Sequence, residues 1–180
     1  MNPASTSETV ELVDDNYTLE IDMSVQWACP KLYQILNDVL DIDFTVISTS
    51  EQALQRLGQA GLPVNMITAD ISISTLARKV FYDYVAHALI QPTFVVFPAD
   101  DTTPCEGFEL YINGILLASG RNEVTDPAVC AAKHKIGEDF REYLMIGMPP
   151  VSSLSLNLDR LAMLMLGATD IRDIIYFLTG

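Results

Sequence analysis

Residues 147–167, Gly147-Met-Pro-Pro-Val-Ser-Ser-Leu-Ser-Leu-Asn-Leu-Asp-Arg-Leu-Ala-Met-Leu-Met-Leu-Gly167, decide how this chain is read. Leu154, Leu156 and Leu158 alternate with polar residues, the period of a strand with one apolar face. At Asp159-Arg160 the pattern changes to an apolar helical run, so the spacing predicts a strand feeding a helix. An arginine at such a junction stands where a guanidinium and a helix N-terminus can both face an anion. A further apolar cluster, Ile171-Arg-Asp-Ile-Ile-Tyr-Phe177, follows.

Upstream, the clearest local signal is Phe108-Glu-Leu-Tyr-Ile-Asn-Gly-Ile-Leu-Leu-Ala118. Asn113-Gly114 between two alternating runs is a strong two-residue hairpin signature. Strict alternation places Phe108, Leu110, Ile112, Ile115 and Leu117 on one face, with Glu109, Tyr111, Leu116 and Ala118 on the other. Thr93–Phe97, an apolar run between two prolines, reads as a buried strand. Val10–Val13 and Tyr17–Met23 alternate and predict two more strands.

Helices are expected between them. Pro30 suits the first turn of one that runs through Leu32, Ile35, Leu36, Val39 and Leu40. Ser50-Glu51 opens another through Ala53, Leu54 and Leu57, stopped by Gly58 or Gly61. Ser72 or Ser74 caps a long one with Leu76, Val80, Tyr84, Val85, Ala88 and Leu89 on its apolar face, ended by Pro92. A short helix is expected near Glu138–Ile146. The class is therefore α+β, an antiparallel β-sheet flanked by helices. Residues 1–9 are small and polar and read as a flexible tail, leaving 10–180 as one domain.

The net charge is −14, from 24 acidic and 10 basic residues. A field of that sign opposes polyphosphate backbones, so independent tRNA binding or other free-standing nucleic-acid binding is not expected. Cys29, Cys105 and Cys130 are odd in number and widely spaced, which suggests reduced structural thiols in a cytoplasmic protein. With only His87 and His134 beside them, a zinc site is not expected. The longest apolar run, Leu161–Leu166, is too short to cross a bilayer, and the first residues lack a signal peptide's basic start.

The strand–helix junction at Arg160 resembles motif 3 of class II aminoacyl-tRNA synthetases, whose arginine holds ATP; the lysyl branch, with its relatives that lysylate elongation factor P, is the closest. Other blocks follow in family order. Ile21-Asp-Met-Ser-Val-Gln-Trp27 and Leu40-Asp-Ile-Asp-Phe44 are similar to the segment after motif 2. Ala88-Leu-Ile-Gln-Pro-Thr-Phe-Val-Val96 is similar to the family's Pro-Thr-Phe strand. Phe108–Gly114 and Asn122-Glu-Val-Thr-Asp-Pro127 are similar to its metal and amino-acid strands. The chain resembles the C-terminal half of the catalytic domain, without the anticodon-binding barrel, motif 1 or motif 2, and with loops trimmed at Asp100–Pro104 and Val129–Glu138.

The resemblance implies ATP and Mg²⁺ as cofactors if the chain is active, and none otherwise. It implies Glu109 as a metal ligand, although Leu116 stands where a second metal-binding glutamate belongs; a solvated strand residue is the alternative reading of Glu109. Glu123 matches the glutamate that reads the substrate's ε-amino group. Ser119 and Arg121 replace the asparagine and aromatic ring that complete that pocket, and Arg121 is placed to pair with Glu123. Arg160 is the implied catalytic and ATP-binding residue. The glycines around it are replaced by Ser153, Ser155 and Asn157, so that Ser155 and Asn157 would line any nucleotide. The plainer reading is that Asp159 caps the helix and Arg160 pairs with an acidic neighbour. Asp126-Pro127 reads as a turn, Arg172-Asp173 as a surface ion pair, and Met163 and Met165 as core filler.

Two functions follow. One is a degenerate, non-catalytic binding or regulatory paralogue of the synthetases. The other is an active ligase that uses ATP to activate lysine or a related amino acid, for transfer to tRNA or a protein. A half-sheet with an open edge also implies a homo-oligomer, or a synthetase-like partner completing the sheet.

Overall fold

The structure, a computed structural model, describes residues 9–14, 17–63, 71–99, 106–133, 137–168 and 170–175. The tail expected over residues 1–9 lies outside them, apart from Thr9, which opens the first strand; so do Asp100–Pro104, Cys105 and His134. Two antiparallel sheets form. A hairpin of β1 (Thr9–Asp14) and β2 (Tyr17–Asp22) stands apart from a four-stranded sheet of β3 (Thr93–Phe97), β4 (Gly107–Ile112), β5 (Ile115–Asn122) and β6 (Ser152–Leu156), in that order. The α+β, antiparallel architecture expected from the alternation is present.

Each face of the large sheet has its own core. Val95, Phe97 and Tyr111 face α1 (Leu32–Leu40), α2 (Ser50–Gln59) and α3 (Ile73–Val80) in a cluster that buries Leu36, Phe44, Ala53, Leu76 and Phe81. The opposite face packs Leu110, Ile112, Leu117 and Ala118 against Ile21 of β2 and Leu164 of α6 (Leu158–Leu166). Trp27 stacks on Phe94, whose ring meets Phe108 edge-on. The two remaining helices, α4 (Pro127–Lys133) and α5 (Glu138–Ile146), bridge β5 and β6. No helix among the described residues is long and apolar enough to cross a membrane.

The hairpin turns at Asn113 (φ 53°) and Gly114 (φ 70°), the two left-handed residues of a primed turn. Beyond the turn, strict alternation fails. The register pairs Tyr111 with Leu116 but Leu110 with Ala118, so Leu117 is an extra residue, a β-bulge. Ala118 consequently joins the face of Leu110, and Ser119 and Arg121 join the face of Glu109.

Several helix expectations need correcting. Pro30 precedes α1; its carbonyl accepts from the Val96 N–H at 2.9 Å, in extended chain beside β3. Val39 is exposed. Gly58 lies within α2, and the chain leaves the helix through Ala60 and Gly61, the latter at φ 77°. Ser72, not Ser74, caps α3, accepting from the Thr75 N–H. That helix then widens into a π turn (Phe81–Val85) and tightens into a 3-10 turn (Ala86–Ala88), ending before Pro92. The widened turn inserts a residue into the helical period, so Phe81, Val85 and Ala86 are buried while Ala88 is exposed. The stretch expected as a trimmed loop from Val129 begins as α4. Asp126-Pro127 is its start rather than a free turn: the Asp126 carboxylate accepts the Ala128 N–H at 2.8 Å.

Candidate functional site

The bulge at Leu117 assembles the site. Because β5 is offset there, Ser119 lies across from Glu109 on one side and from Ser155 on the other, and Arg121 lies across from Ser153. Glu109, Ser119, Arg121, Ser153 and Ser155 thus share one sheet face. They line a cavity of about 320 Å³, with Arg78 and Phe97 forming its wall toward α3. A neighbouring hollow of about 260 Å³ shares Ser119 and Ser155 and contains Asn157 and Arg160. Of the residues expected from sequence, only Glu123 lines neither; it reaches the first cavity through its contacts.

Glu109 has partners on two elements. Its carboxylate accepts the Tyr111 hydroxyl at 2.6 Å and the Tyr82 hydroxyl at 2.9 Å, and the side chain is half-buried. Burial, and then the adjacent Glu109 charge and hydrogen bond, push both phenols well above the ordinary tyrosine range. The two tyrosines therefore serve as fixed donors to Glu109.

Glu123 pairs with Arg121, Nε to Oε1 at 3.4 Å, and also accepts the Ser153 hydroxyl. The pairing expected for Arg121 is thus present, and a cation takes up the carboxylate matched to ammonium recognition. Arg160 is exposed, and its guanidinium donates to the Leu116 carbonyl at 3.0 Å. Asn157, not Asp159, caps α6, its side chain accepting the Arg160 N–H at 2.9 Å, so the cap lies two residues earlier and the helix starts at Leu158. Asn suits a cap because its short side chain reaches back to the first free N–H groups. Arg172 pairs with Asp170 (2.8 Å), not Asp173. Met165 is exposed at 70%, not core, and Met163 is half-buried.

The residues that sequence reasoning missed come from α3 and its π turn. Arg78 lies 4.8 Å above the Phe97 ring centroid and donates to the Pro98 carbonyl at 3.1 Å; Tyr82 lies one turn further on. Their signal was a four-residue spacing on one helix side, visible only once that side is known to face β4.

The sequence matches known proteins. Residues 98–179 match the family described as tRNA synthetases class II (D, K and N). The chain is 32% identical over 184 residues to a lysine–tRNA ligase from Pelotomaculum thermopropionicum, covering 88% of this chain and 36% of that protein. It is 30% identical to the lysine–tRNA ligases of Synechococcus sp. strain CC9311 (88% and 37%) and Syntrophomonas wolfei (89% and 37%). Over most of its length the chain is similar to the class II lysyl-tRNA synthetases. It spans a little over a third of the length of these curated relatives.

Whether the residues present suit ATP and Mg²⁺ depends on the donors they offer. Mg²⁺ takes hard oxygen ligands, usually one or two carboxylates plus phosphates. Among the described residues no group of three or more His, Cys, Asp or Glu side chains could hold a metal ion. The one carboxylate on the cavity wall, Glu109, is committed to two hydroxyls. Ser153 and Ser155 line the same cavity, so among its described lining residues Glu109 is the single carboxylate offered to a cation.

Proposed function

We infer that this chain is a synthetase-like protein that binds without activating: a non-catalytic binding or regulatory paralogue of the class II lysyl synthetases, with residues 10–180 acting as one unit. The observation that carries this reading is that each group the activation chemistry would use is already engaged. Glu109 is held by Tyr82 and Tyr111, Glu123 by Arg121 and Ser153, and Arg160 by the Leu116 carbonyl. Withdrawing one oriented group from a charge-stabilising site removes roughly 3 kcal/mol of transition-state stabilisation. Three such withdrawals would reduce activation to background.

The cavity retains two guanidinium groups and three serines, which supports weak binding of an amino acid or nucleotide. The exposed apolar residues of β6, α5 and α6 support an oligomer, or a synthetase-like partner that completes the sheet. Free thiols at exposed Cys29 and buried Cys130 suit a reducing, cytoplasmic setting. The second reading, an active ATP-dependent ligase for lysine or a related amino acid, is favoured by the likeness to the class II lysyl synthetases and by the presence of Glu109 and Arg160.

Lysine-dependent ATP–pyrophosphate exchange with Mg²⁺ separates the two. The folded protein is expected to show no exchange above its Glu109→Ala and Arg160→Ala variants. Exchange that both substitutions abolish would establish the ligase.

A further inference from the structure

The two lateral edges of the large sheet differ. The outer edge of β3 is covered: the N–H groups of Phe94 and Val96 donate to the carbonyls of Ala28 and Pro30 at 2.8 and 2.9 Å. Among the described residues nothing pairs with the outer edge of β6. The ladder shows which β6 groups point outward. Asn157 N–H donates to the Leu117 carbonyl at 2.8 Å, and Glu123 N–H to the Val151 carbonyl at 2.9 Å, both in the register that sets Ser119 opposite Ser155. Bonded and non-bonded positions alternate along an antiparallel pair. Ser153 and Ser155 therefore turn their backbone groups toward β5, and Ser152, Leu154 and Leu156 turn theirs outward. Those three side chains lie on the face opposite the cavity, where Leu154 and Leu156 are 69% and 50% exposed.

We propose that β6 pairs antiparallel with β6 of a second copy of this chain, about a two-fold axis normal to the sheet at Leu154. Opposed residues in a sheet share a face, and this axis preserves faces, so only residues of equal parity can be opposed. Centring on Leu154 sets it opposite its twin and Ser152 opposite Leu156. Every outward N–H and C=O of the three residues is then bonded. The next opposed pair would be Pro150 and Leu158. Pro150 has no N–H and Leu158 opens α6, so the ladder ends where the chain stops supplying it.

The occupant is a second copy because of charge. Exposed edges are normally protected by charged residues, lysine above all. Residues 147–158 contain none, in a chain of net charge −14. Here two acidic copies can meet without opposing carboxylates, and the leucines of both strands form one continuous apolar strip. The proposal rests on the oligomer reading above and is independent of whether the cavity binds a ligand.

Light scattering on the full chain should give twice its 19.9 kDa mass. Leu154→Lys should reduce that to one chain mass with unchanged circular dichroism, while Val46→Lys, at an exposed apolar site elsewhere, should leave the dimer intact. Under mild oxidation Leu154→Cys should link to its twin, because bonded antiparallel partners lie about 5.5 Å apart at Cα, within disulfide range. Leu156→Cys, roughly 14 Å from its twin in this register, should not. Linked peptides are identified by mass spectrometry, which separates them from links through Cys29. A monomer at all concentrations overturns both the oligomer reading and the β6 pairing. A dimer that survives Leu154→Lys, or that links at 156 as readily as at 154, keeps the oligomer and overturns the pairing.

Discussion

Glu109 illustrates how a residue's role is set by neighbours far away in sequence. Its two-residue spacing from Tyr111 puts both on one strand face, which alternation alone shows. Tyr82, its other donor, arrives from a helix 27 positions earlier. Replacing Tyr111 by Phe removes a short bond to a half-buried carboxylate, and should lower stability by about 1–3 kcal/mol in urea unfolding. The phenols also make an alkaline prediction. Their folded values are raised above the ordinary value of 10.0. Their contribution to stability is therefore complete below pH 10 and is lost as pH rises beyond it, since the unfolded chain releases those protons first. In a tyrosinate absorbance titration, Tyr82 and Tyr111 should ionise late, together with unfolding, in a phase that Tyr82→Phe and Tyr111→Phe each diminish. A late phase that neither substitution changes would refute the Glu109 clamp.

At the scale of elements, turn and cap chemistry was largely legible, while its phasing was not. Asn113-Gly114 announced its hairpin, and the structure adds a reason for Gly114 beyond its φ of 70°: a Cβ there would meet the His87 carbonyl oxygen at 2.8 Å. Gly114→Ala should cost about 2 kcal/mol or more in thermal unfolding. The cap of α6 lies two residues before the one expected, because Asn157 and Asp159 are both good caps by composition and only backbone direction distinguishes them. Asn157→Ala should lower stability by about 1 kcal/mol, whereas Asp159→Ala, inside the first turn, should lose no cap bond and only a few tenths of a kcal/mol. Equal losses would mean that the cap is misassigned. The β-bulge at Leu117 had no signal at all: an apolar run of Ile115-Leu116-Leu117-Ala118 fits either register, and packing on both faces chose one.

For the whole molecule, charge and apolar exposure lead to different expectations. The net charge of −14 predicts that filter binding at physiological salt detects no retention of tRNA by this chain alone. Retention that weakens steeply with added salt would contradict that. The exposed leucines of β6, together with Met165, Leu166 and Ile146, predict instead that association occurs through uncharged surface and is insensitive to salt.

Sequence alone determined the α+β class, the hairpin, the strand feeding a helix and the likeness to the class II lysyl synthetases, because those follow from local periodicity and motif order. That resemblance singled out Ser119, Arg121, Ser153 and Ser155. Tertiary structure alone decided what surrounds them. Whether Glu109, Glu123 and Arg160 are available depends on which hydroxyl, guanidinium or carbonyl lies within about 3 Å. Those neighbours come from a π-widened helix, a bulged strand and an edge strand whose relative positions are set by packing, which no local pattern encodes.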